Sequence, residues 1–436
     1  MYIVNMRLPP VGSTQNAVFS SLDEARSGDA QWKRGKTFSL VYAAGDDVAD
    51  VQQGAFFRYF SENALNPMAF PSLRKFETDV VAMTASLLGD ESAVGSMTSG
   101  GTESILMAVK TARDWARKER GVRDPEMVVP ESVHPAFEKA GHYFGVRVVH
   151  VKLDATLRAD MNAMREAVSD RTILVVGSAP AYPHGVIDPI EDIAALARER
   201  GILCHVDACL GGFLLPFAKK LGRPVPSFDF SVPGVTSMSA DAHKYGWAAK
   251  GASVILYRTR ELRRHQYVVY TDWPGGLYGS PSAPGTRPGG PIAAAWAVMR
   301  YLGEEGYLRL AKKTLDTSDA ILAGIRSIPE LRVLGEPMMS VFAFASDEVD
   351  VYAVADVMQQ RGWYIDRQQR PASLHMMITP AHADLVEEIV GDLRAAVATV
   401  KNGATSEGAA AMYGMLGKMP DRHAVEDFVL DMMDQW

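Results

Sequence analysis

Cysteine is scarce in this chain, which has only Cys204 and Cys209 among its 436 residues. Two cysteines are too few for the disulfide framework of a secreted domain, and their scarcity fits a reducing compartment. No apolar run approaches the roughly 18 residues that indicate a membrane helix. The N-terminus also lacks a charged region followed by an apolar signal core. The sequence therefore predicts a cytoplasmic protein without a membrane span.

Basic character is absent as well, since the formal net charge is −7 and no block of lysine and arginine occurs. Proteins that bind nucleic acid usually carry a basic patch, so nucleic acid is excluded as the expected partner. Hydrophobic residues make up 47% of the chain and charged residues 22%, as in a globular protein with a large core. We expect a small-molecule substrate and no metal ion.

Strands and helices alternate along most of the chain. Predicted strands at 127–129, 146–151, 172–176, 202–207 and 252–257 are interleaved with predicted helices at 136–144, 161–168 and 190–200. This alternation is typical of an α/β protein with a mostly parallel sheet and helices on both of its faces.

A smaller domain is predicted after this sheet. A helical run begins at Pro291, and short strands at 339–345 and 374–378 then alternate with helices at 351–360 and 383–397. We therefore divide the chain into an N-terminal segment (1–60), a large domain (61–310) and a small C-terminal domain (311–436).

Lys244 is the candidate for a reactive amine. It lies in Ser-Ala-Asp-Ala-His-Lys-Tyr-Gly-Trp at 239–247, after a strand-like run at 235–240 and before an aromatic and glycine turn. Desolvation lowers the pKa of a lysine, and a neutral amine forms a Schiff base with an aldehyde such as pyridoxal phosphate (PLP). The alternative is a solvated surface lysine.

Asp207 ends another predicted strand, in Gly-Ile-Leu-Cys-His-Val-Asp-Ala at 201–208. An acid at the carboxyl end of a strand faces the crevice where open α/β sheets bind ligands. There it would pair with the pyridine nitrogen of PLP and keep the ring an electron sink. A helix cap or a loop aspartate is the alternative.

Two further motifs would complete a PLP site. In Met-Thr-Ser-Gly-Gly-Thr-Glu-Ser at 97–104, the residues Ser99, Gly100, Gly101 and Thr102 open a predicted helix, whose free amides would bind a phosphate. His134 follows the predicted strand at 127–129, and its ring would stack on a flat cofactor. A polar loop histidine is the alternative.

The order of these motifs resembles the group II PLP-dependent decarboxylases of the aspartate aminotransferase fold. Four longer sequence segments resemble the branch of that group that cleaves phosphorylated sphingoid bases. They are Thr-Ser-Gly-Gly-Thr-Glu-Ser-Ile-Leu at 98–106, Ser-Ala-Pro-Ala-Tyr-Pro-His-Gly at 178–185, Asp-Ala-Cys-Leu-Gly-Gly-Phe at 207–213 and Asp-Trp-Pro-Gly-Gly-Leu-Tyr at 272–278. The resemblance implies fold type I, with a large, mostly parallel seven-stranded sheet domain and a small C-terminal α/β domain.

The resemblance also implies the reaction. A PLP-dependent aldehyde-lyase of sphingolipid metabolism would cleave sphingosine 1-phosphate by retro-aldol chemistry to a long-chain aldehyde and phosphoethanolamine. By analogy with the family, the catalytic residues would be Lys244, His134, Asp207, Tyr182 and Lys250, the last two also lining the substrate. His243 would join the cofactor site.

A homodimer with shared active sites is implied too. By composition the glycine and proline cluster at 273–291 reads as a surface loop. The family, however, places this segment near the cofactor of the neighbouring subunit, where Ser280 and Arg287 would hold phosphate. Tyr42 would likewise reach the substrate phosphate of the adjacent chain.

Asn66 is the point at which this chain departs from the family, which has a histidine that contacts the substrate phosphate. Asparagine donates a hydrogen bond but carries no positive charge. We therefore expect either weaker phosphate affinity or a different substrate head group.

Two other functions stay open at this stage. An L-amino-acid decarboxylase shares the cofactor residues and differs in the bond that is aligned for cleavage. A catalytically silent scaffold of the same fold is the second alternative, although the intact set of Lys244, Asp207 and His134 argues against it. The colour of the purified protein would identify a silent scaffold, and product analysis would separate the two enzymes.

Overall fold

A computed structural model describes residues 7–405, 414–417 and 419–434 of the chain. Its central sheet contains the strands β1 (Val94–Thr98), β2 (Glu126–Pro130), β3 (Arg147–Val151), β4 (Thr172–Ser178), β5 (Leu203–Asp207), β6 (Ser237–Ala240) and β7 (Ser253–Tyr257). The strand order is β1-β7-β6-β5-β4-β2-β3. Strand β7 runs antiparallel to both of its neighbours, and the other pairs are parallel.

Helices precede, connect and follow these strands. They are α1 (Gln15–Ala25), α2 (Asp46–Arg58), α3 (Pro71–Leu87), α4 (Gly101–Trp115), α5 (Ala136–Phe144), α6 (Met161–Ala167), α7 (Ile190–Arg200), α8 (Leu215–Lys220), α9 (Arg260–Arg264), α10 (Gly289–Arg326), α11 (Val351–Gln360), α12 (Val386–Lys401) and a last helix at Arg422–Met433. Asp160 and Asp350 cap the starts of α6 and α11 with their carboxylates. Helices α5 and α7 end at Gly145 and Gly201, whose φ values of 63° and 60° favour glycine.

The central sheet is buried on both faces. Successive side chains of a strand point to opposite faces, so Val128 and Val175 join one core while Met127 and Val176 join the other. Burial on both sides explains why β2 and β4 consist of nearly continuous apolar residues. It also leaves the carboxyl ends of the strands as the place where polar side chains meet.

A smaller antiparallel sheet follows α10. Its strands are β10 (Arg332–Val333), β11 (Val341–Ala345), β12 (Asp366–Gln368) and β13 (Ser373–Met377), in the order β10-β11-β13-β12. Phe38 of the N-terminal segment is buried in the core of this sheet, where it stacks on Trp363 at 5.5 Å between ring centroids. The predicted domain boundary at 310/311 falls inside α10, and the division of the chain into domains stays a prediction.

The predicted fold class is confirmed, and the helices predicted at 136–144, 190–200 and 351–360 coincide with α5, α7 and α11. Strand β1 is not predicted, because Gly95 and Ser96 interrupt its apolar pattern. The segment expected to be a loop contains β9 (Tyr278–Ser280), which pairs with β8 (Val268–Tyr270). Among the described residues, no helix combines the length and the apolar character needed to cross a membrane.

Candidate active site

A cavity of about 340 Å³ lies at the carboxyl ends of β1, β5 and β6. Three structural features meet there: the start of α4, the loop before α5 and the turn after β6. The residues predicted from the sequence that line it are Ser99, Gly100, Gly101, Thr102, His134, Asp207, His243 and Lys244. The fold therefore brings together side chains that are more than a hundred positions apart in the sequence.

Lys244 forms an ion pair with Asp241 in the turn after β6. Its Nζ lies 3.0 Å from Asp241 Oδ2. Asp241 is buried, and the Nε2 atom of His243 lies 3.6 Å from the same carboxylate oxygen. The other oxygen, Oδ1, has no hydrogen-bond partner among the described residues. Asp241 thus holds the lysine in place.

The lowered pKa predicted for Lys244 is wrong. Burial alone lowers the pKa of this amine, but the adjacent Asp241 carboxylate outweighs burial and holds the pKa above its ordinary value. For Asp241, burial alone raises the pKa of the carboxyl group. The adjacent Lys244 and His243 outweigh burial and hold the pKa of Asp241 below its usual range. The amine is therefore protonated while it is paired with Asp241.

Asp207 presents one carboxylate oxygen to the cavity. Its Oδ1 accepts hydrogen bonds from Ser239 Oγ and from the backbone N–H of Cys209, both at 3.1 Å. Its Oδ2 accepts no hydrogen bond within the described part of the chain. A ring nitrogen that carries a proton would find an anionic acceptor there.

His134 lines the cavity, and Tyr182, which is not among the lining residues, lies edge to face on it with 6.5 Å between ring centroids. His134 Nδ1 accepts from the backbone N–H of Ala136 at 3.1 Å. Burial lowers the pKa of His134 more than Asp207 raises it, so the imidazole is neutral and its flat face is available for stacking. Tyr182 stacks on His375 at 4.3 Å and donates its hydroxyl to Asp366 Oδ2 at 3.2 Å.

The start of α4 also lines the cavity. The backbone N–H and the hydroxyl of Ser99 both donate to Glu103 Oε2 at 2.7 Å, which closes the turn. A Cβ atom on Gly101 would lie 2.7 Å from Asp241 Oδ2 and from Cys209 Sγ, so a larger residue would collide with the lysine turn. The first-turn amides of a helix have no partner within the helix and bind anions.

A second cavity of about 800 Å³ adjoins the first, and His243 lines both. Besides Tyr42 and Lys250, its lining includes Val41, Ala43, Ala44, Val48, Ala49, Ala248, Ala249, Pro380 and Ala381. Lys250 Nζ lies 4.9 Å from the centroid of the Tyr42 ring. Burial and the nearby charge of Lys244 lower the pKa of Lys250 to about 8.

Tyr42 belongs to the site of its own chain. The residue is 9% exposed, packs edge to face on Tyr245 at 5.1 Å and donates its hydroxyl to Met377 Sδ at 3.1 Å. The prediction that Tyr42 reaches the site of an adjacent chain is therefore wrong, because contacts within its own chain enclose the ring.

Ser280, Arg287 and Asn66 do not line either cavity among the described residues. Ser280 Oγ donates to the carbonyl of Ser282 at 3.0 Å, and Asn66 Oδ1 accepts from the N–H of Met68 at 2.9 Å. Arg287 Nη1 lies 2.6 Å from Glu77 Oε1 within the same chain. The phosphate-binding roles predicted for these three residues stay predictions.

Asp241 and Glu103 are site residues that the sequence reasoning overlooked. Glu103 holds Ser99 and also accepts the N–H of Ala283 at 2.9 Å, so it ties the 278–288 segment to the start of α4. The sequence contains a hint of this role for Asp241, because an acid three residues before a lysine can lie in the same turn. The sequence does not show, however, whether this carboxylate or burial has the larger effect on the pKa of Lys244.

These residues fit PLP. Free amides at one end of the cavity suit a phosphate, and the free oxygen of Asp207 suits a protonated ring nitrogen. His134 is neutral and has a flat face for the ring, and Lys244 lines the same cavity with an amine for an aldehyde. A volume of about 340 Å³ is within the usual range for small-molecule sites.

Comparison with known proteins agrees with this fit. Residues 32–346 match the pyridoxal-dependent decarboxylase conserved domain. The sphingosine-1-phosphate lyase of Arabidopsis thaliana is 46% identical over 436 residues, covering 98% of this chain and 80% of the relative. An L-aspartate/L-glutamate decarboxylase of Pyrococcus horikoshii is 32% identical over 390 residues, covering 89% of this chain and 99% of the relative.

A solved structure supports the same relationship. The sphingosine-1-phosphate lyase of Burkholderia pseudomallei superposes with a TM-score of 0.89 at 41% identity, covering 94% of this chain and 96% of that one. Identity of this size over nearly the whole length of both chains exceeds what a shared fold alone produces. The chain therefore belongs to the pyridoxal-dependent decarboxylase family, in the branch formed by the sphingosine-1-phosphate lyases.

Proposed function

We propose that this enzyme cleaves phosphorylated sphingoid bases, sphingosine 1-phosphate among them. The bond between the amine-bearing carbon and the hydroxyl-bearing carbon breaks. The hydroxyl loses its proton and becomes the carbonyl of a long-chain aldehyde, while the amine-bearing carbon gains a proton and leaves as phosphoethanolamine. The reaction is a retro-aldol cleavage in which no other reactant is consumed.

The observation that carries this proposal is the pairing of the two cavities. The smaller one holds a lysine, an aspartate and a histidine suited to PLP. The larger one, which shares His243 with it, is lined by small apolar side chains, by Lys250 and by further charged and amide side chains such as Lys33, Asp50 and Gln53. A substrate with a polar amino head and a long apolar tail needs both a reactive site and space for the tail.

The chain's own residues would bind PLP as follows. The amides of Gly101 and Thr102 would bind the phosphate, Asp207 Oδ2 the ring nitrogen, and His134 the face of the ring. When bound, PLP withdraws electrons from the carbon that carries the substrate amine, so that a bond to this carbon breaks readily. The proton on Lys244 Nζ has to leave before this amine can attack an aldehyde.

Lys250 is the proposed base for the substrate hydroxyl. With a pKa lowered to about 8 it is partly neutral near physiological pH, and a neutral amine accepts a proton. Its cation also faces the Tyr42 ring, which fixes its position in the larger cavity. Tyr182 keeps its proton, because burial and Asp366 raise its pKa, and so it acts only as a hydrogen-bond donor.

Turnover is therefore expected to rise with pH through about 8 as Lys250 loses its proton. In Lys250→Arg the group stays charged, so turnover should fall by roughly a hundredfold and the rise near this pH should disappear. The measurement is kcat between pH 6 and 9.5, with Lys313→Arg on the rim of the larger cavity as the matched control. An unchanged pH profile in Lys250→Arg would remove Lys250 from the proton transfer.

The larger cavity is expected to select substrates by tail length. Ala249 lines it, and Ala249→Phe would fill part of the space that an apolar tail needs. For long-chain substrates kcat/KM should fall by at least about tenfold, while phosphorylated amino alcohols with short tails should lose little. Ala249→Ser, with nearly the same volume, is the control. An equal loss for all tail lengths would place the tail elsewhere.

We propose further that the enzyme is a homodimer. Large apolar side chains are exposed on the β8–β9 hairpin and around Asn66; Phe57, Phe60, Met68, Val269 and Leu277 are each more than 65% exposed. Large apolar side chains that are exposed in groups usually mark a protein interface. A two-fold dimer would cover both regions and would bring Asn66 and Ser280 of one chain near the site of the other.

Both cysteines are buried free thiols, which supports the cytoplasmic location that we propose.

Mixing two inactive variants is expected to restore activity if Ser280 serves the partner's site. Ser280→Glu places a negative charge where phosphate is expected, and Lys244→Ala removes the reactive amine. In a mixed dimer one site would have both Lys244 and Ser280 intact, so about half of the wild-type activity per mixed dimer should return. Subunit exchange is verified by affinity tags of two kinds. Complete exchange without recovered activity would place Ser280 in the site of its own chain.

Product analysis is the direct test of the proposed reaction. The purified enzyme is incubated with sphingosine 1-phosphate and, in parallel, with a panel of L-amino acids. We expect a long-chain aldehyde and phosphoethanolamine from the first and no carbon dioxide from the second. Release of carbon dioxide from an amino acid, without any aldehyde from the sphingoid base, would identify a decarboxylase instead.

A further inference from the structure

Four polar side chains form a buried square on β5 and β6. His205 and Asp207 point to the same face of β5, and Ser237 and Ser239 lie opposite them in register on β6. His205 and Ser239 have no exposed surface. The ring of His205 packs on Phe137 of α5, with 5.9 Å between centroids. Burying a polar group destabilises the folded protein unless the group is hydrogen-bonded, so these four side chains need hydrogen-bond partners.

Hydrogen bonds connect all four side chains in a row. Ser237 Oγ lies 2.9 Å from His205 Nδ1, and Ser239 Oγ lies 3.3 Å from His205 Nε2. Ser239 Oγ in turn donates to Asp207 Oδ1 at 3.1 Å. The row therefore ends on the carboxylate whose second oxygen faces the cofactor cavity.

The direction of each hydrogen bond follows from donor chemistry. An ionised carboxylate only accepts, so the single hydroxyl hydrogen of Ser239 is used for Asp207. Ser239 must then accept from His205, which places the imidazole hydrogen on Nε2. Burial lowers the pKa of His205 to about 4, so the ring is neutral and its Nδ1 accepts from Ser237. His205 and Ser239 thus each donate one hydrogen bond and accept one, while Ser237 donates to the ring and Asp207 only accepts.

We infer that Ser239 and His205 are positioning residues that fix the Asp207 carboxylate for the pyridine nitrogen of PLP. Ser239 and the N–H of Cys209 occupy Oδ1, so Oδ2 is the oxygen left for the ring. The imidazole donates to Ser239 Oγ and thereby directs the hydroxyl hydrogen of Ser239 at the carboxylate. This inference rests on the proposed role of Asp207, and the experiment separates the two.

The test measures the dissociation constant of PLP and the visible absorption of the bound cofactor in Ser239→Ala and Ser239→Thr. Loss of one hydrogen bond to a charged group should weaken PLP binding by roughly tenfold and shift the absorption band in Ser239→Ala. Threonine keeps the hydroxyl, so Ser239→Thr should bind within about threefold of wild type. Thermal unfolding shows that each variant is folded at the temperature of the titration.

A double-mutant cycle with Asp207→Asn distinguishes positioning from general packing. If Ser239 acts through the carboxylate charge, Ser239→Ala should add no loss of affinity in the Asp207→Asn background. An equal additional loss there, or wild-type affinity in folded Ser239→Ala, would overturn the inference. If Asp207→Asn alone changes neither affinity nor spectrum, the proposed role of Asp207 fails instead.

His205 supplies a second pair of variants, which decides the question if Ser239→Ala does not fold. His205→Gln retains an N–H that can donate to Ser239, and His205→Leu removes it. PLP binding should weaken several-fold in His205→Leu and change little in His205→Gln. Equal affinity of the two variants would show that His205 does not act through Ser239.

Discussion

Lys244→Ala is expected to abolish covalent attachment of PLP and to lower turnover by at least about a thousandfold, since the change removes both the nucleophile and a proton carrier. In the wild type, borohydride should fix a PLP label to Lys244, because its amine lies in the cavity beside Asp241. The variant should lose this label and the visible absorption. Asp241 would then be buried without its ion-pair partner, so some loss of stability should accompany the change.

The measurement is the mass of the labelled peptide after borohydride reduction and digestion. Lys250→Ala is the matched control, because its amine is the other one near the site and its removal should leave the label on Lys244. Lys244→Arg retains a charge beside Asp241 and separates the loss of stability from the loss of the reactive amine. A label that persists in Lys244→Ala, on Lys250 or elsewhere, would contradict the assignment.

Asp207→Asn is expected to keep PLP bound and to lower turnover by roughly a hundred- to a thousandfold. The amide has the shape of the carboxylate but no negative charge, so it cannot stabilise a proton on the ring nitrogen as charge develops in the transition state. Binding should weaken less than catalysis, because the phosphate and the ring face keep their contacts.

Single-turnover rates and PLP titrations measure these two effects separately. Asp207→Glu serves as the control, because it keeps the charge and displaces the oxygen. It should retain more activity than Asp207→Asn if charge is what matters. Near-normal turnover in Asp207→Asn would assign the residue a structural role, as an acceptor for Ser239 and the N–H of Cys209.

Local sequence was enough to predict the fold class and most elements of the central sheet. Helices such as α5 and α7 have both an apolar period and a glycine at the end, and these are properties of neighbouring residues. The pattern also placed Asp207 and Lys244 at strand ends, where parallel sheets bind ligands. Strand β1 escaped prediction because its stability comes from pairing with β7, a contact between residues about 160 positions apart.

The amino-acid order alone predicts the chemical groups of the site, which are an amine, a carboxylate, an imidazole and a glycine turn in an order that indicates PLP chemistry. Their electrostatic state, in contrast, depends on contacts that form when the chain folds. The pKa of Lys244 depends on whether burial or Asp241 prevails, and a carboxylate at 3.0 Å settles that balance toward the charged amine. In the same way, Tyr42 lies within its own chain because Tyr245 and Met377 enclose it, contacts that arise only when distant segments pack together.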